Sequence, residues 1–237
     1  MSVSGGPDII TEGLVLHLDA ANTDSYSGSG TTWYDLSENQ NDGVLTNGPS
    51  FTSSNHGSFT LDGVDDKITG ISSTLINSQN GSIETWIKFT DSTALSSENM
   101  QIYAIPCPNS LKLYFYRNSP WTSNILSNFL YYRKLSNGTT GANVPYAAYY
   151  YANIWYQNVF TWSDEGVQKI YQNGSLKYSA VMSDFDYWYA PDGSDFVLGA
   201  WFSYTEGEIP QFRMYNRTLS AEQVLQNYNA TRSRYGL

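Results

Sequence analysis

The stretch Gly207-Glu-Ile-Pro-Gln-Phe-Arg-Met-Tyr-Asn-Arg-Thr-Leu-Ser220, with Ala221-Glu-Gln-Val-Leu-Gln-Asn-Tyr228 directly behind it, decides how this chain reads. Ile209, Gln211, Arg213 and Tyr215 alternate with Pro210, Phe212, Met214 and Asn216. That period of two describes a half-buried strand with one apolar face and one more polar face. A helix start follows at once: Ser220 is placed as N-cap, Gln223 completes a capping box, and Leu219 is set to staple onto Val224. Ala221, Val224, Leu225 and Tyr228 then fall at i, i+3, i+4 and i+7 as one apolar stripe. A helix of about ten residues is marginal alone in water, so it must dock on a sheet.

Working outward, the composition bounds the rest. A chain of 237 residues with 41% hydrophobic and 16% aromatic content suffices for one core, and no stretch reads as a linker. Charged residues make up 14%, well below the roughly 25% of an average soluble domain, so Ser, Thr, Asn, Gln and Tyr must dominate the surface. Such a surface hydrogen-bonds neutral polar ligands. The net charge of −10 repels phosphate backbones and anionic headgroups, which argues against nucleic acid and bare membrane as partners. A single cysteine, Cys107, excludes an intramolecular disulfide and reads as a small buried apolar residue. His17 and His56 are too few for a histidine-rich metal site. The N-terminal residues show neither a basic region nor an apolar run, and no window approaches the length of a membrane span. The expectation is a chain neither classically secreted nor membrane-spanning. Asn80-Gly-Ser82 and Asn173-Gly-Ser175 accordingly read as turns.

In chain order, residues 1–12 are a polar arm, and Leu14, Leu16 and Leu18 alternate with Val15, His17 and Asp19 as a first strand. His17 is favoured as a structural histidine satisfied by a neighbour over a pH switch or ligand group. Residues 20–56 read as a long ordered loop anchored by Trp33, Leu36, Leu45 and Phe51. Two short strands flank the turn Asp62-Gly-Val-Asp-Asp66, and residues 83–89 form a strong inner strand. Glu84 on that strand invites a catalytic reading, yet glycoside hydrolysis requires a second carboxylate at a set separation. Two further strands occupy 101–117. Trp121, Phe129, Tyr131, Tyr132, Tyr146, Tyr149, Tyr150 and Tyr151 then crowd the middle of the chain, either as edge strands packing cross-strand or as a ligand or subunit surface. Trp155 to Trp162 is a central strand, and Asn173-Gly174 is a hairpin turn of the primed type. Residues 183–195 form a loop of aromatics and acids, and 196–202 returns as a buried strand.

The ending resembles the close of laminin-G-like, concanavalin A-like lectin domains at Gly207, Ile209, Arg213, Tyr215, Asn216, Arg217, Leu219 and Ser220. The runs Gly13-Leu-Val-Leu-His-Leu-Asp-Ala20, Ser25-Tyr-Ser-Gly-Ser-Gly-Thr-Thr-Trp33, Asp35-Leu-Ser37, Asn47-Gly-Pro49 and Asp62-Gly-Val-Asp-Asp66 are similar to a subgroup common in bacteriophage and bacterial surface proteins. Leu61, Glu38 and Lys67 depart from that subgroup, where Phe, Gly and an aromatic are usual. The resemblance covers residues 13–90 and 155–237, leaving 91–153 divergent. It implies an all-β fold: an antiparallel two-sheet β-sandwich, a concanavalin A-like jelly roll, with one short C-terminal helix docked at an edge. Residues 13–237 are then a single domain behind the arm at 1–12. Domains of this kind often hold Ca²⁺ at the sandwich rim, for which Asp62, Asp65 and Asp66 are the candidates. Backbone hydrogen bonding within the turn explains the same three residues equally well.

The resemblance implies a non-catalytic carbohydrate-binding module displayed on a phage virion, as a decoration, fibre or tail protein, and contacting neutral polysaccharide or cell-surface glycan. Assembly is expected as a homo-oligomer or with other virion proteins. Within the 183–195 loop, Tyr187, Trp188 and Tyr189 offer platforms for a sugar's C–H face, and Asp184, Asp186 and Asp192 offer acceptors. The alternative for Trp188 is that it folds back to plug the sandwich end. Two other functional classes stand beside the lectin: a structural virion protein that uses the sandwich as a scaffold, and a glycoside hydrolase. The Glu-x-Asp-x-x-Glu-type strand motif of the concanavalin-like glucanases is absent.

Overall fold

The structure is a computed structural model that describes residues 7–54, 57–75, 79–90, 100–104, 111–118, 127–134, 143–146, 150–181, 195–200 and 204–237. Its strands, in chain order, begin with β1 (Leu14–Asp19), β2 (Thr32–Trp33), β3 (Gly43–Thr46), β4 (Ser50–Thr52), β5 (Ser58–Asp62) and β6 (Lys67–Ser72). Next come β7 (Gly81–Phe89), β8 (Met100–Ala104), β9 (Leu111–Asn118), β10 (Ser127–Lys134) and β11 (Asn143–Tyr146). The series closes with β12 (Trp155–Trp162), β13 (Val167–Gln172), β14 (Ser175–Val181), β15 (Asp195–Leu198), β16 (Glu206–Ile209) and β17 (Gln211–Tyr215). Helix α1 (Ala221–Thr231) and a 3-10 turn (Arg232–Tyr235) complete the chain.

The strands form two antiparallel sheets. One has nine strands, ordered β14-β13-β12-β7-β16-β5-β4, with β17 between β7 and β1. The other has eight, ordered β11-β10-β9-β8-β15-β6-β3-β2. Pro210 explains why the stretch Gly207–Ser220 serves two neighbours: lacking an N–H, it interrupts the ladder, so β16 pairs with β5 and β17 with β1 while both pair with β7. Alternating side chains from both sheets meet between them. Leu16, Phe59, Ile83, Ile87, Phe160 and Phe212 from the larger sheet pack with Trp33, Ile68, Ile102 and Phe196 from the smaller one.

The region 20–56 is more regular than a loop. It contributes β2, β3 and β4, which pair with β3, β6 and β5 in turn, because the anchors Trp33 and Leu45 enter the core and draw the backbone alongside the sheets. The divergent middle likewise supplies strands, β8 to β11, which run to one end of the eight-stranded sheet. Tyr150 is fully buried against Phe89 and Tyr156, so this member of the aromatic group belongs to the core.

Strand β1 departs from simple alternation. The register slips between Leu14 and Leu16, a bulge that sends Leu14 to the outer face of the nine-stranded sheet while Leu16 and Leu18 point inward. Asn173 and Gly174, at φ 51° and 74°, make the primed turn between β13 and β14; both need positive φ, which glycine and asparagine tolerate.

Helix α1 starts as its sequence requires. Gln223 N–H donates to Ser220 Oγ at 3.3 Å, and Ser220 N–H donates to Gln223 Oε1 at 3.0 Å. Leu219 and Val224 pack in one cluster with Val159, Tyr171 and Tyr215. The helix lies over the outer face of the nine-stranded sheet, where Asn227 reaches β7, and not at an edge. Its buried residues are Val224, Asn227 and Thr231; Leu225, expected on the buried stripe, is 46% exposed. This cover also changes β17. Gln211, Arg213 and Tyr215 were expected on a half-buried strand's more polar side, yet all five residues of β17 are buried.

Candidate functional site

Among the described residues, four arrangements carry chemistry. The first lies beneath α1, where β7 and β17 place Glu84 opposite Arg213. Glu84 Oε1 accepts from Arg213 NH1 and from Gln157 Nε2, each at 2.9 Å, and Oε2 accepts from Asn227 Nδ2 at 2.7 Å. Arg213 NH2 donates to Gln211 Oε1, and Gln211 Nε2 donates to Tyr235 Oη at 2.9 Å. Trp86, Trp155 and Tyr235 close the layer beside it. Glu84 is 1% exposed, so the carboxylate that drew a catalytic reading is enclosed and charge-paired.

His17 stands beside Arg213 in the β1–β17 register, and its Nε2 is buried without a hydrogen-bond partner. Burial, reinforced by the positive charge of Arg213 and opposed by Asp19, pushes its pKa down to about 3. It is a neutral packing group, and the neighbour expected to satisfy it is not found for Nε2 among the described residues.

The third arrangement is the turn after β5. Ligand atoms from Asp62, Asp65 and Asp66 lie within 4.8 Å of one another. Asp62 Oδ1 accepts from the backbone N–H groups of Val64, Asp65 and Asp66 at 2.8, 3.2 and 3.4 Å, which holds its carboxyl below the usual range. Asp66 is buried, and burial raises its pKa, with the charges of Asp62 and Asp65 adding to the rise. The spacing fits a shared cation, and three carboxylates supply only part of the six to eight oxygens that Ca²⁺ takes.

The fourth arrangement is a cleft of about 370 Å³ at a corner of the sandwich, between the 20–28 loop and the C-terminal 3-10 turn. Ala20, Tyr26, Ser27, Phe51, Ser53 and Arg234 line it. Asp19 organises both walls: Arg234 NH1 donates to its two oxygens at 3.0 and 2.7 Å, and Ala21 N–H donates to Oδ1 at 3.0 Å. The pairing of Arg234 with Asp19 spans 215 residues and leaves no local signal in the sequence. Asp184, Asp186, Tyr187, Trp188, Tyr189 and Asp192, the residues expected to bind glycan, lie outside the described residues, as do Cys107 and His56.

Comparison with known proteins follows the fold. The family model for the concanavalin A-like lectin/glucanases superfamily matches residues 61–225. The chain belongs to this superfamily. No curated protein matches it. Among solved structures, domain 4 of an extracellular arabinanase from Geobacillus stearothermophilus, solved in complex with arabinotriose, is similar with a TM-score of 0.67. That domain is 19% identical, over 91% of this chain and 98% of its own. The ligand-binding domain of botulinum neurotoxin serotype D, in complex with N-acetylneuraminic acid, gives a TM-score of 0.64 at 20% identity, over 91% of this chain and 50% of that one. Trypanosoma rangeli sialidase, in complex with the inhibitor DANA, gives 0.68 at 14% identity, over 97% of this chain and 34% of that one. This chain thus spans about half the length of the toxin binding domains it matches. At these identities the likeness is one of fold.

Proposed function

We propose that this lectin-like sandwich is a non-catalytic glycan-binding module. The observation that carries this reading is the state of Glu84. The superfamily includes both lectins and glucanases, and here the carboxylate on the inner strand is sealed under α1 and bonded to Arg213, Gln157 and Asn227. A general acid or nucleophile must reach the glycosidic bond and work with a second carboxylate, and Glu84 has neither access nor such a partner among its contacts. Sugars in two of the similar structures, arabinotriose and N-acetylneuraminic acid, support a carbohydrate ligand.

The proposed setting is a virion surface, with neutral polysaccharide or cell-surface glycan as the partner and many copies acting together. Display in many copies suits a shallow site, since multivalency raises avidity by roughly 10² to 10⁴ without a new contact. Detection of the chain in purified particles by mass spectrometry tests the setting. The proposal keeps Ca²⁺ at Asp62, Asp65 and Asp66 as a rim ion. Glycan arrays probed with the multimeric protein test the function, and Trp188→Ala tests the 183–195 loop. A signal on neutral glycans that the folded variant loses is the expected result; a silent wild type favours the scaffold reading instead.

A further inference from the structure

We propose that the cleft between the 20–28 loop and the C-terminal turn is a binding subsite for an uncharged sugar ring, an assignment that rests on the lectin reading above. Its volume of about 370 Å³ falls at the small end of the roughly 300–1,000 Å³ typical of small-molecule sites, the size of a mono- or disaccharide. A sugar needs an apolar wall for its C–H face and donors and acceptors for its hydroxyls. Half-buried Phe51 supplies the wall, backed by Tyr26 at 6% exposure, and the exposed residues Ser27, Ser53 and Thr23 bring hydroxyls to its rim.

The wall is held in place before any ligand arrives. Tyr26 packs on Phe51 and Phe59 with centroids 5.0 and 4.8 Å away, and its hydroxyl donates to the Gly30 carbonyl at 3.0 Å. The loop is tied to β1 because Asp19 N–H donates to Ser25 Oγ at 3.1 Å and Ala21 N–H donates to Asp19 Oδ1. A ring binding here orders little that is not already ordered, which lowers the entropic cost of a small contact.

Arg234 sets the ligand class. Both of its bonds to Asp19 use the one nitrogen NH1, and among the described residues Nε–H and NH2 have no partner, so the guanidinium of this cleft-lining residue keeps a planar pair of donors to offer. Asp19 is 3% exposed and cancels the guanidinium charge in place. The pair therefore offers directional hydrogen bonds suited to neighbouring hydroxyls, without net positive charge to attract a carboxylate. The chain's charge of −10 further disfavours acidic sugars.

Two variants test the site. Arg234→Lys keeps a cation opposite Asp19 but removes the planar fork. Ser53→Trp fills the cleft from an exposed rim position. The multimeric wild type is screened on matched neutral and sialylated oligosaccharides, and the best neutral oligosaccharide is then titrated calorimetrically. The expected result is preference for neutral glycans, with both variants folded and at least about tenfold weaker, equivalent to about 1.4 kcal/mol. Undiminished binding by both folded variants overturns this subsite and leaves the lectin reading standing. A preference for sialylated glycans that Arg234→Lys abolishes overturns the uncharged class. A wild type silent on every glycan removes the lectin reading and this subsite with it.

Discussion

Glu84 and Arg213 face each other across β7 and β17 at 2.9 Å, and each side chain retains 1% of its exposure. Two opposite charges buried this deeply stand or fall together, because removing one leaves the other in a medium that cannot solvate it. Glu84→Gln should therefore destabilise the fold by about 3–5 kcal/mol, read as a lower urea midpoint at unchanged slope. Joining it to Arg213→Met should recover most of that loss, since it removes the stranded cation. A single variant as stable as wild type would show that the buried pair does not stabilise the fold.

Acid should weaken the protein before its carboxylates titrate. His17 takes up a proton near pH 6.5 when unfolded but, held at about 3 when folded, stays neutral through the mildly acidic range. The unfolded state binds more protons there, so stability is complete above pH 6.5 and falls as the pH drops toward 3. Between pH 7 and pH 5 the loss should be roughly 2 kcal/mol. His17→Gln should flatten the slope in urea titrations over that window. An unchanged slope would mean that another group carries the acid sensitivity.

Calcium is tested by heat. If Asp62, Asp65 and Asp66 share the ion, adding Ca²⁺ at about 100 times its Kd to chelator-treated protein should stabilise it by about 2.7 kcal/mol. Asp65→Asn removes one exposed carboxylate from the cluster while leaving the Asp62 backbone bonds in place, and should abolish the rise in melting temperature. Identical melting curves for chelated and calcium-loaded wild type would remove the ion from this turn.

Rules that act over a few residues made much of the fold legible in the sequence. Ser220 and Gln223 close their capping box because cap and partner are three residues apart. Asn173 and Gly174 turn the chain because they accept positive φ. The Ile83 to Phe89 alternation sends Ile83, Ile87 and Phe89 into the core because the pleat has period two.

Only the tertiary structure decided what covers each face. Periodicity places Gln211, Arg213 and Tyr215 together on one side of β17, but the landing of α1 on that side turns a surface into an interior. The same landing makes Asn227, which looks like a solvent residue in sequence, the partner of Glu84, and leaves Leu225 outside. The bulge that turns Leu14 outward is set by pairing with β17, some 200 residues away. The cleft exists because Asp19 and Arg234 meet from opposite ends of the chain. A side chain's local pattern reports its direction, whereas its burial and its partner depend on which distant element packs against that direction.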